Sequence, residues 1–118
     1  IEKIARGVVE GLGGTLELKI AKGYPVLKND DALTRRVYDR AINYLGIDNV
    51  ITTTPRMGAE DFAFYSQEIP ACFYRLGTGN PGKGITSNIH TPTFNIDEDA
   101  IKTGMGFMAF NAITELMS

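Results

Sequence analysis

The stretch TLELKIAK, residues 15–22, alternates polar and apolar side chains from Thr15 to Ile20. Leu16, Leu18 and Ile20 therefore fall on one side of an extended chain, and the polar side chains between them fall on the other. This period of two predicts a β-strand with one buried face. Because a lone strand is not stable without a neighbour, the stretch also predicts further strands.

Helical patterns surround this stretch. Apolar residues at spacings of three and four predict amphipathic helices, and a capping Asn29 or Asp30 precedes the second of them. The predicted helices cover residues 1–12, 31–45 and 100–117, and a shorter one follows the loop at 57–62. Compact β-branched or apolar runs predict two more strands, at residues 50–54 and 71–76.

Composition excludes several classes of protein. The 118 residues, of which 43% are hydrophobic and 22% charged, suit a folded chain with one modest core. A net charge of −2 is too balanced for a nucleic-acid-binding surface, and no apolar run is long enough to span a membrane. The single cysteine, Cys72, cannot form an internal disulfide, so we expect a reducing compartment such as the cytoplasm.

His90 is the only histidine, and it follows the glycine-rich run at 77–84. A zinc site needs three or four protein ligands, and no other histidine or cysteine lies nearby in the sequence. Thr91 and Pro92 direct the backbone away from a helix at this point. Composition alone therefore favours a loop histidine with a structural hydrogen bond.

The adjacent carboxylates Glu60 and Asp61 cannot face each other as an acid and base pair, because neighbours on a helix or a strand project in different directions. Two interpretations remain open. Both carboxylates could brace the first turn of a helix, where the dipole favours them. Alternatively, the backbone N–H groups that follow Gly58 could hold an anionic ligand group such as a carboxylate.

Three segments occur in a characteristic order: YPVLKND at residues 24–30, MGAEDFAFY at 57–65 and IHTPTFNIDE at 89–98. Together they resemble the C-terminal third of the metal-dependent amidohydrolases. That family includes aminoacylases, hippurate hydrolases, plant auxin-conjugate hydrolases and zinc carboxypeptidases. The resemblance extends over essentially the whole chain.

The resemblance implies an α/β fold, made of the C-terminal part of a zinc-peptidase-like catalytic domain and the end of a second domain. Residues 1–28 would be the last helix and strand of a βαββαβ lid domain, through which the parent protein forms a homodimer. Residues 29–118 would be the C-terminal part of the catalytic domain. The chain would then be a fragment of a two-domain enzyme.

The resemblance also implies the site residues. His90 would bind one of two divalent metal ions, Zn or Mn, in the parent enzyme. Gly58, Ala59 and Glu60 would line the substrate pocket near the amino-acid carboxylate. No residue matches the family's other metal ligands, its general-base glutamate or its lid-domain histidine, so we expect the fragment alone to be inactive and to bind no metal tightly.

The function implied for the parent is hydrolysis of the amide bond of N-acyl amino acids or small peptides by a water molecule that a dinuclear metal centre activates. Its partners would be such substrates and a second copy of the protein, with neither nucleic acid nor a membrane involved. An alternative is a free-standing, non-enzymatic α/β module that binds a small anion or a protein partner.

Overall fold

The computed structural model describes residues 1–117, and its regular structure is helical. The helices are α1 (Glu2–Gly11), α2 (Asp31–Leu45), α3 (Ala63–Glu68) and α4 (Asp99–Leu116), with single 3-10 turns at Ile47–Asn49 and Pro81–Lys83. All four predicted helices are confirmed. The predicted cap is also confirmed, because the Asp30 side chain accepts a hydrogen bond of 2.8 Å from the backbone N–H of Leu33.

The predicted α/β fold is wrong for residues 1–117, which contain no β-sheet. The β-type pairing among them is one isolated antiparallel bridge between Asn80 and Ile85. A strand exists through a ladder of hydrogen bonds to a neighbouring strand, and residues 15–22 and 51–54 form no backbone hydrogen bond with any other described residue. The strands predicted at 15–22 and 50–54 are therefore not formed.

The predicted strand at 71–76 is also absent, because its backbone hydrogen bonds to Asn29 and Asp30 do not form a ladder. Its backbone is bound by a side chain, because the amide of Asn29 donates to the carbonyl of Phe73 at 2.9 Å and accepts from the N–H of Phe73 at 2.8 Å. The N–H of Asp30 donates to the carbonyl of Ala71 at 2.8 Å. These bonds hold the segment beside the start of α2 without continuing into a ladder.

The small core lies between α2 and α4. Tyr44 of α2 lies against Phe110 and Phe107 of α4, with ring centroids 5.4 Å and 5.9 Å apart, and Phe107 is only 5% exposed. Toward the other end of α2, Arg40 pairs with Glu115 at 2.6 Å. The two helices therefore run in opposite directions.

Much of the remaining apolar surface is uncovered. The radius of gyration is 21.0 Å, whereas a compact domain of this length would have about 13 Å. Helix α1 packs against no other helix among the described residues, and its apolar residues Ile4 and Val8 are 73% and 57% exposed. The domain boundary near residue 28 stays a prediction. No helix within residues 1–117 is long and apolar enough to cross a bilayer.

Glycine is required in the middle of α4 by the close approach of α2. A Cβ atom built on Gly106 would meet the hydroxyl of Tyr44, and one built on Gly104 would lie 2.6 Å from a methyl group of Leu76. Glycine inside a helix costs up to about 1 kcal/mol relative to alanine. The packing of Tyr44 on the helix explains why that cost is tolerated.

We expect Gly106→Ala to lower the free energy of unfolding by about 1 kcal/mol, because the strain of overpacking exceeds the gain in helix propensity. The matched control is Gly7→Ala in α1, where a Cβ atom would meet nothing within 4 Å. That variant should gain roughly 0.5–1 kcal/mol from propensity alone. Urea titrations followed by circular dichroism measure both, and two stabilised variants would contradict the packing argument.

Candidate functional site

His90 lies at the tip of an exposed loop, residues 86–96, which we call the His90 loop. Its φ angle is +64°, and it is the one residue other than glycine with a positive φ among residues 1–117. A histidine in the left-handed region costs of order 1 kcal/mol. Such strain is typical of residues that the surrounding chain holds for a function.

The turn around His90 is held by its neighbours. The Thr91 hydroxyl donates to the carbonyl of Asn88 at 2.7 Å, and the N–H of Phe94 donates to the carbonyl of Thr91 at 3.1 Å. One step further out, the hydroxyls of Ser87 and Thr93 are 2.8 Å apart and share a hydrogen bond across the loop. These contacts hold the backbone of the turn, in which His90 is exposed.

The imidazole itself takes part in no hydrogen bond or ion pair among residues 1–117. The structural hydrogen bond favoured by composition is therefore not seen. His90 is exposed, and a neutral imidazole can bind a metal through either ring nitrogen.

The base of the His90 loop is closed by the Asp97 cluster, which consists of Asn80, Lys83, Asp97 and Asp99. One oxygen of Asp97 accepts from the Asn80 amide at 2.6 Å, and the other accepts from the Lys83 ammonium at 2.7 Å. The N–H of Asp97 donates to the carbonyl of Thr78 at 2.8 Å. These bonds join the two ends of the loop.

The electrostatics of this cluster favour an ionised Asp97. Hydrogen bonds from Asn80 and Lys83 lower the pKa of Asp97 to about 2. Hydrogen bonds to Asp97 and Asp99 raise the pKa of Lys83. Asp97 and Lys83 therefore keep their charges throughout the neutral pH range.

Sequence reasoning missed this cluster. In the sequence, Asp97 stands out only as a member of the segment at 89–98. The turn-forming run Asn80-Pro81-Gly82-Lys83 was a usable signal, because an Asn that precedes Pro-Gly often binds its own backbone. The Asn80 side chain indeed accepts from the N–H of Lys83 at 3.3 Å, which places the lysine next to Asp97.

The segment Gly58–Glu60 is irregular and precedes α3. Gly58 and Ala59 are exposed, while the half-buried Glu60 accepts a hydrogen bond of 3.3 Å from the N–H of Phe62. Glu60 thus braces the turn before α3, whereas the first interpretation places both carboxylates in the first turn of a helix, and the first turn of α3 contains no acidic residue. No hydrogen bond or ion pair within residues 1–117 joins this segment to His90.

Beside this segment lies an open groove of about 490 Å³ between α4 and residues 72–76. Phe62 lies at its edge and packs on Phe73 with ring centroids 5.6 Å apart. The lining is almost entirely apolar, and Cys72 is half-buried in it. The groove can shelter an apolar group.

The described residues do not form a complete metal site. No group of three His, Cys, Asp or Glu side chains within residues 1–117 could hold an ion, and zinc sites use three or four protein ligands. The accessible His90 imidazole fits one ligand position. A metal centre that used it would take its other ligands from elsewhere.

The chain belongs to Peptidase family M20/M25/M40, whose profile matches residues 2–112. Peptidases of this family generally depend on a metal. The suspected resemblance to the metal-dependent amidohydrolases is thereby confirmed. Membership of a peptidase family does not favour the alternative, a free-standing and non-enzymatic binding module.

The curated relatives that the chain resembles are named as hydrolases. It is 33% identical over 97% of its length to "Putative amidohydrolase YhaA" of Bacillus subtilis, of which it spans 29%. It is 45% identical over 69% of its length to "IAA-amino acid hydrolase ILR1-like 6" of Arabidopsis thaliana, of which it spans 18%. The chain therefore spans less than a third of the length of these relatives. No solved structure gives a significant match.

Proposed function

We propose that this chain is part of a metal-dependent amidohydrolase and supplies His90 as one ligand of a dinuclear metal centre. The observation that carries the proposal is the presentation of His90. Its ring is accessible, it has no partner among residues 1–117, and it sits on a strained turn that three hydrogen bonds support. Membership of a peptidase family supplies the context for a metal.

The proposed reaction is hydrolysis of the amide bond of an N-acyl amino acid or a small peptide. When bound, two divalent ions such as Zn or Mn would lower the pKa of a water molecule and polarise the amide carbonyl. His90 would bind as the neutral imidazole through one nitrogen, which leaves the other for a hydrogen bond that orients the ring. The general base would come from outside this chain.

Substrate binding is proposed for the segment Gly58–Glu60. The backbone N–H groups of Gly58 and Ala59 form no hydrogen bond among residues 1–117, so they are available as donors. Because the Glu60 carboxylate is already bound to the N–H of Phe62, it does not compete for them. Two free backbone donors suit the carboxylate of an amino-acid substrate.

The parent protein is proposed to act in the cytoplasm as a homodimer formed through its lid domain. Neither a nucleic acid nor a membrane is part of the proposal. The relative from Arabidopsis thaliana is named for the hydrolysis of an amino-acid conjugate. That name supports the substrate class of amides between an acyl group and an amino acid.

The test is an assay of the complete protein that contains this chain, with a panel of N-acyl amino acids and dipeptides. We expect hydrolysis that falls to background after chelation and returns with Zn or Mn, because the metal activates the water. The matched control substrate is the same acyl group on an amine that lacks the carboxylate, which should be hydrolysed more slowly. Full turnover after complete metal removal would refute the proposal.

A further inference from the structure

The side chain of Asp97 makes two of the hydrogen bonds that close the base of the His90 loop, beside the backbone bond from its N–H to the carbonyl of Thr78. Asp97 follows the last residue of the loop, and its carboxylate binds Asn80 and Lys83, which precede the loop. Its side chain is only 14% exposed, whereas that of Asp99, the other partner of Lys83, is 87% exposed. Asp97 is thus the better shielded of the two acceptors.

Closure of the base restricts what His90 can do. A loop whose ends are free samples many conformations, and joining its ends removes most of them. The hydrogen bond between Ser87 and Thr93 joins the two sides of the loop above its base. The turn at His90 lies between these two residues. The backbone at His90 is therefore restricted in part by Asp97.

We propose that Asp97 is a positioning residue, which closes the base of the His90 loop through Asn80 and Lys83 and thereby holds the His90 imidazole ready for a divalent metal. This inference rests on the proposed function. Residues that orient a metal ligand without touching the metal contribute about 10-fold to 100-fold to metal affinity. Asp97 acts in this way through the backbone of the loop rather than through the ring.

The test compares Asp97→Asn with Asp99→Asn in the complete protein. Asparagine also carries a side-chain oxygen, so Asp97→Asn keeps an acceptor for the N–H of Asp99 at the start of α4. The new side-chain amide places an N–H donor opposite the N–H donor of the Asn80 amide. The change also removes the negative charge that binds Lys83. The control Asp99→Asn removes the same charge from the same lysine at an exposed position.

We expect Asp97→Asn to weaken the binding of Zn about 10-fold in a chelator competition, and Asp99→Asn to change it less than about twofold. The visible absorption spectrum of the Co(II)-loaded protein provides a second readout. It should change for Asp97→Asn because it reports the geometry of the ligands, which a loss of global stability does not alter. Unchanged affinity and spectrum for Asp97→Asn would overturn the inference.

A second pair of variants keeps the inference testable if Asp97→Asn does not fold. Lys83→Met removes the donor at a half-exposed position and should weaken Zn binding in the same direction, and Lys83→Arg should restore it. His90→Ala separates this inference from the proposed function. If His90→Ala leaves Zn binding intact, the proposed function fails. If His90→Ala weakens Zn binding but the variants of Asp97 and Lys83 do not, only the role of Asp97 is overturned.

Discussion

Replacing His90 by alanine in the complete protein is expected to lower kcat/KM about 1000-fold or more, because a metal ligand contributes more than the 10-fold to 100-fold of residues that only orient one. We also expect the variant to lose one of the two proposed metal ions. Metal content by mass spectrometry and hydrolysis of an N-acyl amino acid measure the two effects. A variant that keeps both ions and its activity would contradict the role of His90.

The matched variant for this experiment is His90→Gly. Glycine adopts a φ of +64° without strain, so this change removes the ligand and relieves the backbone at the same time. We expect His90→Gly to be as inactive as His90→Ala but more stable in the metal-free protein. If both variants lost activity because of unfolding, His90→Gly would retain more activity, and that outcome would contradict a role in metal binding.

Local interactions explain which parts of the fold could be predicted from the sequence. The cap of helix α2 is Asp30, which lies three positions before Leu33, the residue whose N–H it binds. The backbone hydrogen bonds within the helix join residues four positions apart. Everything needed to recognise it is therefore contiguous. A strand depends on a neighbour that the local sequence does not specify, and the alternation at residues 15–22 found none among the described residues.

The candidate site follows the same rule. His90 could be identified because the segment around it resembles a known family, and Glu60 could be expected to brace a turn because its partner Phe62 lies two residues away. The Asp97 cluster joins residues on opposite sides of a loop, 14 and 17 positions apart for Lys83 and Asn80. No periodicity in the sequence indicates such a contact.

Helix α4 shows a further limit of sequence patterns, because it is apolar on most sides. Its sequence does not say which side chains are buried, yet Phe107 is 5% exposed and the adjacent Met108 is 65% exposed. Phe107 is held by the rings of Tyr44 and Tyr74, whose centroids lie 5.9 Å and 5.4 Å from its own. The packing of two tyrosines selects this residue as the centre of the core.

We expect Phe107→Ala to lower the free energy of unfolding by about 3 kcal/mol, because a buried phenylalanine loses its transfer free energy and leaves a cavity. Met108→Ala, at the next position of the same helix, should change it by less than about 0.5 kcal/mol. Urea denaturation followed by circular dichroism of this chain measures both variants. Because both changes remove a large apolar side chain, equal effects would mean that the contact between α2 and α4 does not stabilise the chain.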